Sequence, residues 1–354
     1  ACPTDRFQVS DNCRKCLAHP CTSVCPVNAV SLGRAAAEID QEKCIRCGRC
    51  REICPYHAIL RFGRPCAEAC GARAIGSDAL GRAVIDQDRC VSCGLCIVAC
   101  PFAAIADKSE IFQLITDIRS GQTVSAAIAP SFAGQFGPLA TPGKVVAGIK
   151  ALGIRRVIEV GWGADISSLH EAEEFIRDVP AKKPFLGTSC CPSWAMFARK
   201  EEPDLSRCIA KTHTPMVASA KRIKEEHPDA RVVFIGPCVA KKIEALEEEV
   251  RPWVDYVITF EELMGLFSAR QIELSEMEEV ELMSYASRDG RNYALSGGVA
   301  AHATSLVDAG DRDDVAGLGL VDQHPLQSLV AEHLVDLGSD RLHAADCRVT
   351  EHDS

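Results

Sequence analysis

Beyond residue 107 the chain alternates between two periods. Residues 124–129, 156–160, 185–187, 231–235 and 256–259 are short runs rich in β-branched residues, each ending near Gly, Pro or Ser, which predicts strands. Between them, residues 167–179, 194–202 and 260–267 space their apolar side chains as helices do. This alternation predicts a mostly parallel sheet covered on both faces, with ligands at the carboxyl ends of its strands. Two of those ends carry unusual residues. Phe185-Leu186-Gly187 runs into Thr188-Ser189-Cys190-Cys191-Pro192-Ser193-Trp194, and Val232-Val233-Phe234-Ile235 runs into Gly236-Pro237-Cys238-Val239-Ala240-Lys241. Each strand thus delivers a cysteine to one edge of the sheet.

Composition changes the picture in the first third. Of 20 cysteines, 15 precede residue 101 and five follow it, so one segment is specialised. Disulfide frameworks occur in such cysteine-rich stretches, but they do not repeat one tight spacing closed by proline. Metal clusters do, because each loop must wrap a cube of fixed size. Two segments carry the Cys-x-x-Cys-x-x-Cys-x-x-x-Cys-Pro run of bacterial ferredoxins without a defect: Cys44, Cys47, Cys50, Cys54 before Pro55, and Cys90, Cys93, Cys96, Cys100 before Pro101. Cys13, Cys16, Cys21 and Cys25 before Pro26 form a third with a longer central gap, and Cys66 and Cys70 are the tail of a fourth. Small apolar tails follow each run, as in Val27-Asn28-Ala29-Val30 and Tyr56-His57-Ala58-Ile59. They fit the ferredoxin βαββαβ alternation, in which small residues let the chain pack close to a cube.

In such runs the fourth thiolate reaches across to a neighbouring cluster. Cys54 is therefore expected to complete the set Cys13, Cys16, Cys21, and Cys25 the set Cys44, Cys47, Cys50. Cys70 would complete Cys90, Cys93, Cys96. An alternative exchanges Cys54 and Cys100 between the two perfect motifs and leaves Cys66 and Cys70 to the first segment. Ligand counting gives three 4Fe-4S clusters, or four at most. Cys2 has no motif partner, and His57 reads as a surface residue.

The net charge of -10 argues against nucleic-acid or anionic-membrane partners, which need a surplus of Lys and Arg on one face. With neither a signal peptide nor an apolar run of ~20 residues to span a bilayer, a cytoplasmic location is expected. Several clusters in series make an electron wire, and a wire implies a terminal site in the remaining residues.

Here the sequence resembles a family. The two strand-end cysteine motifs look like the first two signature motifs of the iron-only (FeFe) hydrogenases, whose H-cluster joins a 4Fe-4S cube to a diiron unit. Ala129-Pro130-Ser131-Phe132, Glu159-Val160-Gly161-Trp162-Gly163 and Ser296-Gly297-Gly298-Val299 resemble further segments around that cofactor. Gly-Pro-Cys with Gly236, where the best-known enzymes carry Met, is most like the monomeric clostridial-type subgroup. The resemblance implies an α+β ferredoxin-like multi-cluster domain (1–107) followed by an α/β H-cluster domain (108–303). It implies that Cys191 and Cys238 bind the cube, that Cys190 shuttles protons beside the diiron unit, and that Lys241 holds a cyanide ligand. Glu171 and Glu174 match carboxylates that relay protons outward. Their plain reading is a solvated helix face, as a surface residue is for Lys241, core for Cys208 and packing for Trp194. The hydroxyl between thiol and carboxylates has no clear equivalent, the nearest positions being Cys208 and Ile209. The expected activity is reversible reduction of protons to H2, with a ferredoxin-type carrier and hydrogenase maturation proteins as partners.

One feature departs from the family. Its third motif, Glu-x-x-x-Cys-x-x-Gly-Cys-x-x-Gly-Gly, is absent, and beyond residue 303 the one cysteine is Cys347. The stretch 304–354 therefore reads as an atypical tail, explained by a frameshift or fragment, by a degenerate relative that kept the wire alone, or by Cys347 and a histidine as substitute ligands. Two thiolates are too few for a cube, so the chain as written is expected to be inactive even where its family is active. The competing readings are a non-catalytic relative, similar to the eukaryotic prelamin-recognition-factor group in cluster assembly, and a redox sensor.

Overall fold

The computed structural model describes residues 2, 5–281, 286–310 and 320–321. The chain forms two compact units, one from residues 1–90 and 95–106 and the other from residues 91–94 and 107–354.

The first unit opens with β1 (Arg6–Val9), α1 (Pro20–Ser23), β2 (Val30–Leu32), β3 (Ala37–Ile39), α2 (Arg49–Glu52) and β4 (Ile59–Phe62). This is the βαββαβ order, with β1 antiparallel to β4 and β2 to β3. α3 (Pro65–Glu68), β5 (Ile75–Ser77), β6 (Ala83–Ile85) and α4 (Leu95–Val98) form a shorter αββα module, without the outer strand pair among the described residues. Each helix is a single turn, because a cysteine loop begins and ends it.

The loops repeat one backbone device. Lys15, Arg46 and Ser92, each just before the second cysteine of its run, have positive φ. So do Asn28, His57, Arg73 and Ala103, each three residues after the last cysteine. Such backbone is uncommon for non-glycine residues. Here it turns the next amide onto sulfur: the N–H groups of Ala29, Ala58, Ala74 and Ala104 donate to the Sγ atoms of Cys25, Cys54, Cys70 and Cys100 at 3.2–3.4 Å.

The apolar core of the βαββαβ module is Phe7, Val30, Ala37, Cys50 and Ile59, which is small for an independent fold. Metal-bound modules of this size draw their folding energy from the metal. Chelating iron from the full chain is therefore expected to open residues 1–106 to protease well before the second unit. Limited proteolysis with fragment mapping checks this, and cleavage that starts in the second unit would contradict it.

The second unit comprises α5 (Ile111–Arg119), β7 (Val124–Ile128), α6 (Pro142–Ala151), β8 (Arg156–Glu159), α7 (Gly161–Asp178), β9 (Leu186–Gly187), α8 (Pro192–Glu201), α9 (Pro203–Ser206), α10 (Pro215–Glu226), β10 (Arg231–Gly236), α11 (Ala240–Glu244), β11 (Tyr256–Thr259), α12 (Phe260–Ala269), α13 (Arg288–Arg291), α14 (Gly298–Gly310) and β12 (Leu320–Val321). Four strands make one parallel sheet in the order β11-β10-β7-β8. β7 is buried along its whole length, as a sheet covered on both faces requires. Ile128, Ile149, Val157, Val233, Ile235, Ile258 and Leu263 lie in the core around it. No described helix is long and apolar enough to cross a membrane.

All five expected strands form, but one lies elsewhere. β9 is outside the parallel sheet: it pairs with β12, and Gly187 bridges Ile209. Leu186 and Gly187 lie opposite Leu320 and Val321 in a separate small parallel ribbon. α6 and α10 were not anticipated from periodicity. Pro142 and Pro215 start them, after Thr141 and Thr214 in extended conformation, an N-terminal signal that the apolar spacing hides.

In this sheet the chain passes from β7 outward to β8 on one side, and from β10 outward to β11 on the other. The order reverses between β7 and β10, and such a switch point leaves a crevice at the carboxyl ends of the strands. Ala129-Pro130-Ser131-Phe132 follows β7 there and Pro237-Cys238 follows β10. Gly236, the last residue of β10, is packed against its own neighbourhood: a Cβ on it would lie 2.6 Å from the Phe234 ring and 3.2 Å from Ala129 Cβ. Gly236→Met is therefore expected to destabilise the chain by about 1–3 kcal/mol through overpacking. Denaturant unfolding measures this, and a neutral result would mean that the Phe234 ring moves freely.

Candidate metal centres and catalytic site

In the first unit the thiols gather in two sets. One cavity is lined by Cys13, Cys16, Cys21 and Cys54, a second by Cys25, Cys44, Cys47 and Cys50. The helices α1 and α2, which carry Cys21 and Cys50, pack together. Cys54, just after α2, lines the cavity of its own module beside Cys13, Cys16 and Cys21. In the shorter module α3 packs on α4, and the Cys66 thiol is pushed up by burial and by its neighbour Cys100. Cys70 takes the Ala74 N–H described above. Cys90 and Cys96 are half-buried; Cys93, which falls in the second unit, is exposed. His57 is exposed, and Cys2 is half-buried.

The donor set suits an iron–sulfur cluster. Thiols line the wall of a void, and peptide N–H groups aim at sulfur, which favours thiolate over thiol. The result is visible at Cys100, whose pKa is lowered by the amides of Ala104 and Phe102. At Cys25 burial pushes the other way, and the amides of Val27, Ala29, Val30 and Asn28 outweigh it.

The second unit gathers its chemistry at the ends of β9 and β10. Cys190 leaves β9, and Cys191 sits extended at the start of α8. The Cys238 thiol is pushed up by burial, held back by the Lys241 ammonium and raised again by the nearby Cys191. Lys241 is buried and donates to Cys190 O at 3.1 Å and to Glu244 Oε2 at 2.7 Å. Burial pulls its pKa down, but the Glu244 carboxylate outweighs this and holds it above the usual lysine value. Thr214 Oγ1 donates to the other Glu244 oxygen at 2.6 Å. Lys241 is thus no surface lysine: it is an oriented, buried cation with part of its donor capacity turned towards Cys190.

α7 supplies a polar column. Asp165, Ser168, Glu171 and Glu174 recur every three residues, so successive members are neighbours and the row winds around the helix. Glu171 is 1% exposed and Glu174 6%, which overturns the reading of a solvated helix face; in Glu-Ala-Glu-Glu it is Glu173 that is exposed. The helix packs on α10, α13 and α14, while its two buried carboxylates meet Ser189, Lys183 and Lys211, and the apolar spacing gave no sign of this.

Glu171 Oε1 accepts from Ser189 N at 2.9 Å and Ser189 Oγ at 3.1 Å, while its Oε2 is buried with no hydrogen-bond partner. Burial raises its pKa to about 7, against the lowering effect of the Ser189 bonds. A carboxyl titrating near neutrality next to the Ser189-Cys190 segment is suited to proton exchange. Glu174 is held differently, with Oε1 paired to Lys183 at 2.6 Å and Oε2 accepting from Lys211 N at 3.0 Å.

Sequence reasoning missed three contributors. The hydroxyl that touches Glu171 is Ser189, not a group at position 208 or 209: Cys208 is buried with its pKa raised by burial, and Ile209 serves the β9 bridge. Its position directly before the cysteine pair was the available signal. Lys183 was missed because nothing local marks it. Tyr293 was the third: its OH lies 2.6 Å from Ser168 Oγ, which also meets His302 Nδ1 at 3.1 Å. His302 Nε2 stands 3.6 Å from Asp165 Oδ1. Burial raises the Tyr293 pKa, and the nearby charges of Glu171 and Cys190 raise it further. Trp194 lies half-buried on α8. Cys347 lies outside the described residues.

An H-cluster fits this site in part. The groups that would handle protons converge, whereas the described residues supply two thiolates, Cys191 and Cys238, where a cube takes four.

The iron-only hydrogenase large subunit, C-terminal domain, matches residues 122–348, past position 303, and the 4Fe-4S binding domain matches residues 37–60 and 83–106. The "Iron hydrogenase 1" of Clostridium pasteurianum is 29% identical over 285 residues, covering 74% of this chain and 49% of that protein. The cytosolic Fe-S cluster assembly factor of Yarrowia lipolytica is 26% identical over 152 residues, covering 38% of this chain and 30% of that protein. An apo FeFe-hydrogenase from Chlamydomonas reinhardtii is similar at 25% identity and a TM-score of 0.46, over 50% of this chain and 52% of that one. The chain spans about half the length of the first of these relatives. With ferredoxin-type modules in front of a matched domain that takes up most of its length, this chain belongs to the iron-only hydrogenase large-subunit family.

Proposed function

We propose that the protein is built for reversible proton reduction, 2H+ + 2e- to H2, with electrons passing through three 4Fe-4S clusters to a ferredoxin-type carrier, and that turnover requires two cube ligands beyond Cys191 and Cys238. The observation that carries this reading is the buried Glu171, poised near neutrality and bonded to Ser189 beside Cys190. The ligand sets would be Cys13, Cys16, Cys21 with Cys54, Cys44, Cys47, Cys50 with Cys25, and Cys90, Cys93, Cys96 with Cys70. Cys191 and Cys238 would hold the cube of the terminal cofactor, and Lys241 would anchor its diiron unit. When bound, that cofactor supplies the metal at which protons and electrons combine. The chain's own part is proton handling. Cys190 holds a proton on Sγ facing the site, Glu171 exchanges it at Oε1 or Oε2, and Glu174 passes it towards the exterior. Lys241, locked by Glu244, keeps a fixed positive charge beside them.

A second reading, a non-catalytic iron–sulfur protein of cluster assembly, is favoured by the two-thiolate count and by the likeness to the cluster assembly factor. Maturing the protein anaerobically with hydrogenase assembly enzymes separates the two. Infrared bands of CO and cyanide together with H2 turnover, lost in Cys190→Ala while the bands persist, support the enzyme. Iron–sulfur absorption with neither bands nor turnover supports the second reading.

A further inference from the structure

We propose that His19 is a hydrogen-bond donor to the cluster enclosed by Cys13, Cys16, Cys21 and Cys54, and that it makes this cluster easier to reduce than its neighbour. The inference rests on the proposed cluster ligation of those four thiols. His19 occupies the longer central gap of the first cysteine run, between Cys16 and Cys21. Its backbone is fixed in the left-handed region at φ 43°. Its N–H donates to Cys16 O at 3.3 Å, and its carbonyl accepts from Thr22 N at 3.0 Å and Thr22 Oγ1 at 2.8 Å. Held in this way, the ring lines the thiol cavity. Nδ1 is buried and has no hydrogen-bond partner.

The other walls explain why that atom is left over. Val9, Leu32, Ala37, Ala58 and Ile59 are apolar, Arg14 brings only donors, and Tyr56, the remaining side chain there with a hydroxyl, is exposed and does not reach Nδ1; the Lys15 ammonium is turned to Arg34 O at 2.9 Å. A buried polar atom without a partner is disfavoured, so the site calls for an acceptor inside the cavity. Cluster sulfides and thiolates are acceptors, and they match the tautomer that carries its proton on Nδ1. Hydrogen bonds to cluster sulfur favour the reduced, more negative state and raise the potential. The second cavity has no counterpart: besides its cysteines it is lined by Phe7, Val27, Ala29, Val30, Ile45 and Gly48.

The test is an EPR-monitored redox titration of the full chain, reconstituted anaerobically with iron and sulfide. Loss of one wave in Cys16→Ala assigns the cluster. His19→Ala is expected to move that wave to more negative potential by about tenfold in the reduction equilibrium, about 59 mV for one electron, and to leave the others in place. His19→Asn, which keeps a donor, is expected to recover part of the shift. A wave that ignores His19→Ala overturns the donor role alone. So does strong 14N coupling in the wild-type cluster, which would mark His19 as an iron ligand. If Cys16→Ala removes neither a wave nor iron, the ligation beneath the proposal fails with it.

Discussion

Replacing Lys241 with methionine is expected to lower folding stability by about 3–5 kcal/mol, the usual consequence of removing one partner from a buried ion pair. Lys241 and Glu244 are both buried, with Nζ and Oε2 at 2.7 Å. Methionine fills a similar volume, so the loss reports charge and not a cavity. It leaves the Glu244 carboxylate in an apolar interior with Thr214 Oγ1 and no cation. The double variant Lys241→Met, Glu244→Gln removes both charges, and it should regain most of the loss because no uncompensated ion remains. Denaturant unfolding of the four proteins in a double-mutant cycle measures the coupling. A single-variant loss below about 1 kcal/mol would place the pair in the range of exposed salt bridges and sink the account of Lys241 as an oriented interior cation.

The second large effect is that of Glu171→Gln, and it has two readouts. In matured protein that turns over, removing the relay carboxyl is expected to slow H2 production by ~10²–10⁴-fold, the range of general acid–base catalysis. The other readout needs no cofactor. The pKa of Glu171 is raised from 4.5 to about 7, so between these values the native state keeps a proton that the unfolded chain has released. Stability attributable to this group is therefore present at low pH and falls as pH rises through that window. The fall amounts to roughly 3 kcal/mol at most, from 1.36 kcal/mol per unit of pKa. Glutamine cannot titrate. The stability of Glu171→Gln relative to the parent should then rise by up to that amount between about pH 4.5 and 7.5. A difference that stays flat across the window would show that Glu171 is ionised at an ordinary pKa and has no special proton affinity.

These residues also show where sequence reading stops. Lys241 and Cys238 were singled out by the resemblance of the segment after a recognisable strand, and the burial of Lys241 against Glu244 was not legible there. Glu171 and Glu174 could be named but not judged: helical spacing makes them neighbours, and only the arrival of Ser189, Lys183 and Lys211 from elsewhere in the chain decides that they are interior. Ser189 and Tyr293 become partners of α7 through contacts 18 and 125 residues apart in the chain, a separation that no local pattern encodes. The strand at 185–187 was legible as a strand, yet its pairing with 320–321 and Ile209 was not, because edge bonds depend on which chain segment arrives beside them.

By itself the sequence determined the chemistry that is spaced along the chain. Cysteine runs with fixed gaps specify cluster loops because a cube has one size, and β-branched runs between helices specify a parallel sheet because neither element can bury its apolar face alone. Tertiary structure decided which thiols share a cavity, which carboxyl is buried enough to hold its proton near neutrality, and which histidine nitrogen is left without a partner. Each of these depends on desolvation and on donors brought together from distant parts of the chain, and burial is a property of the packed molecule, not of residue order.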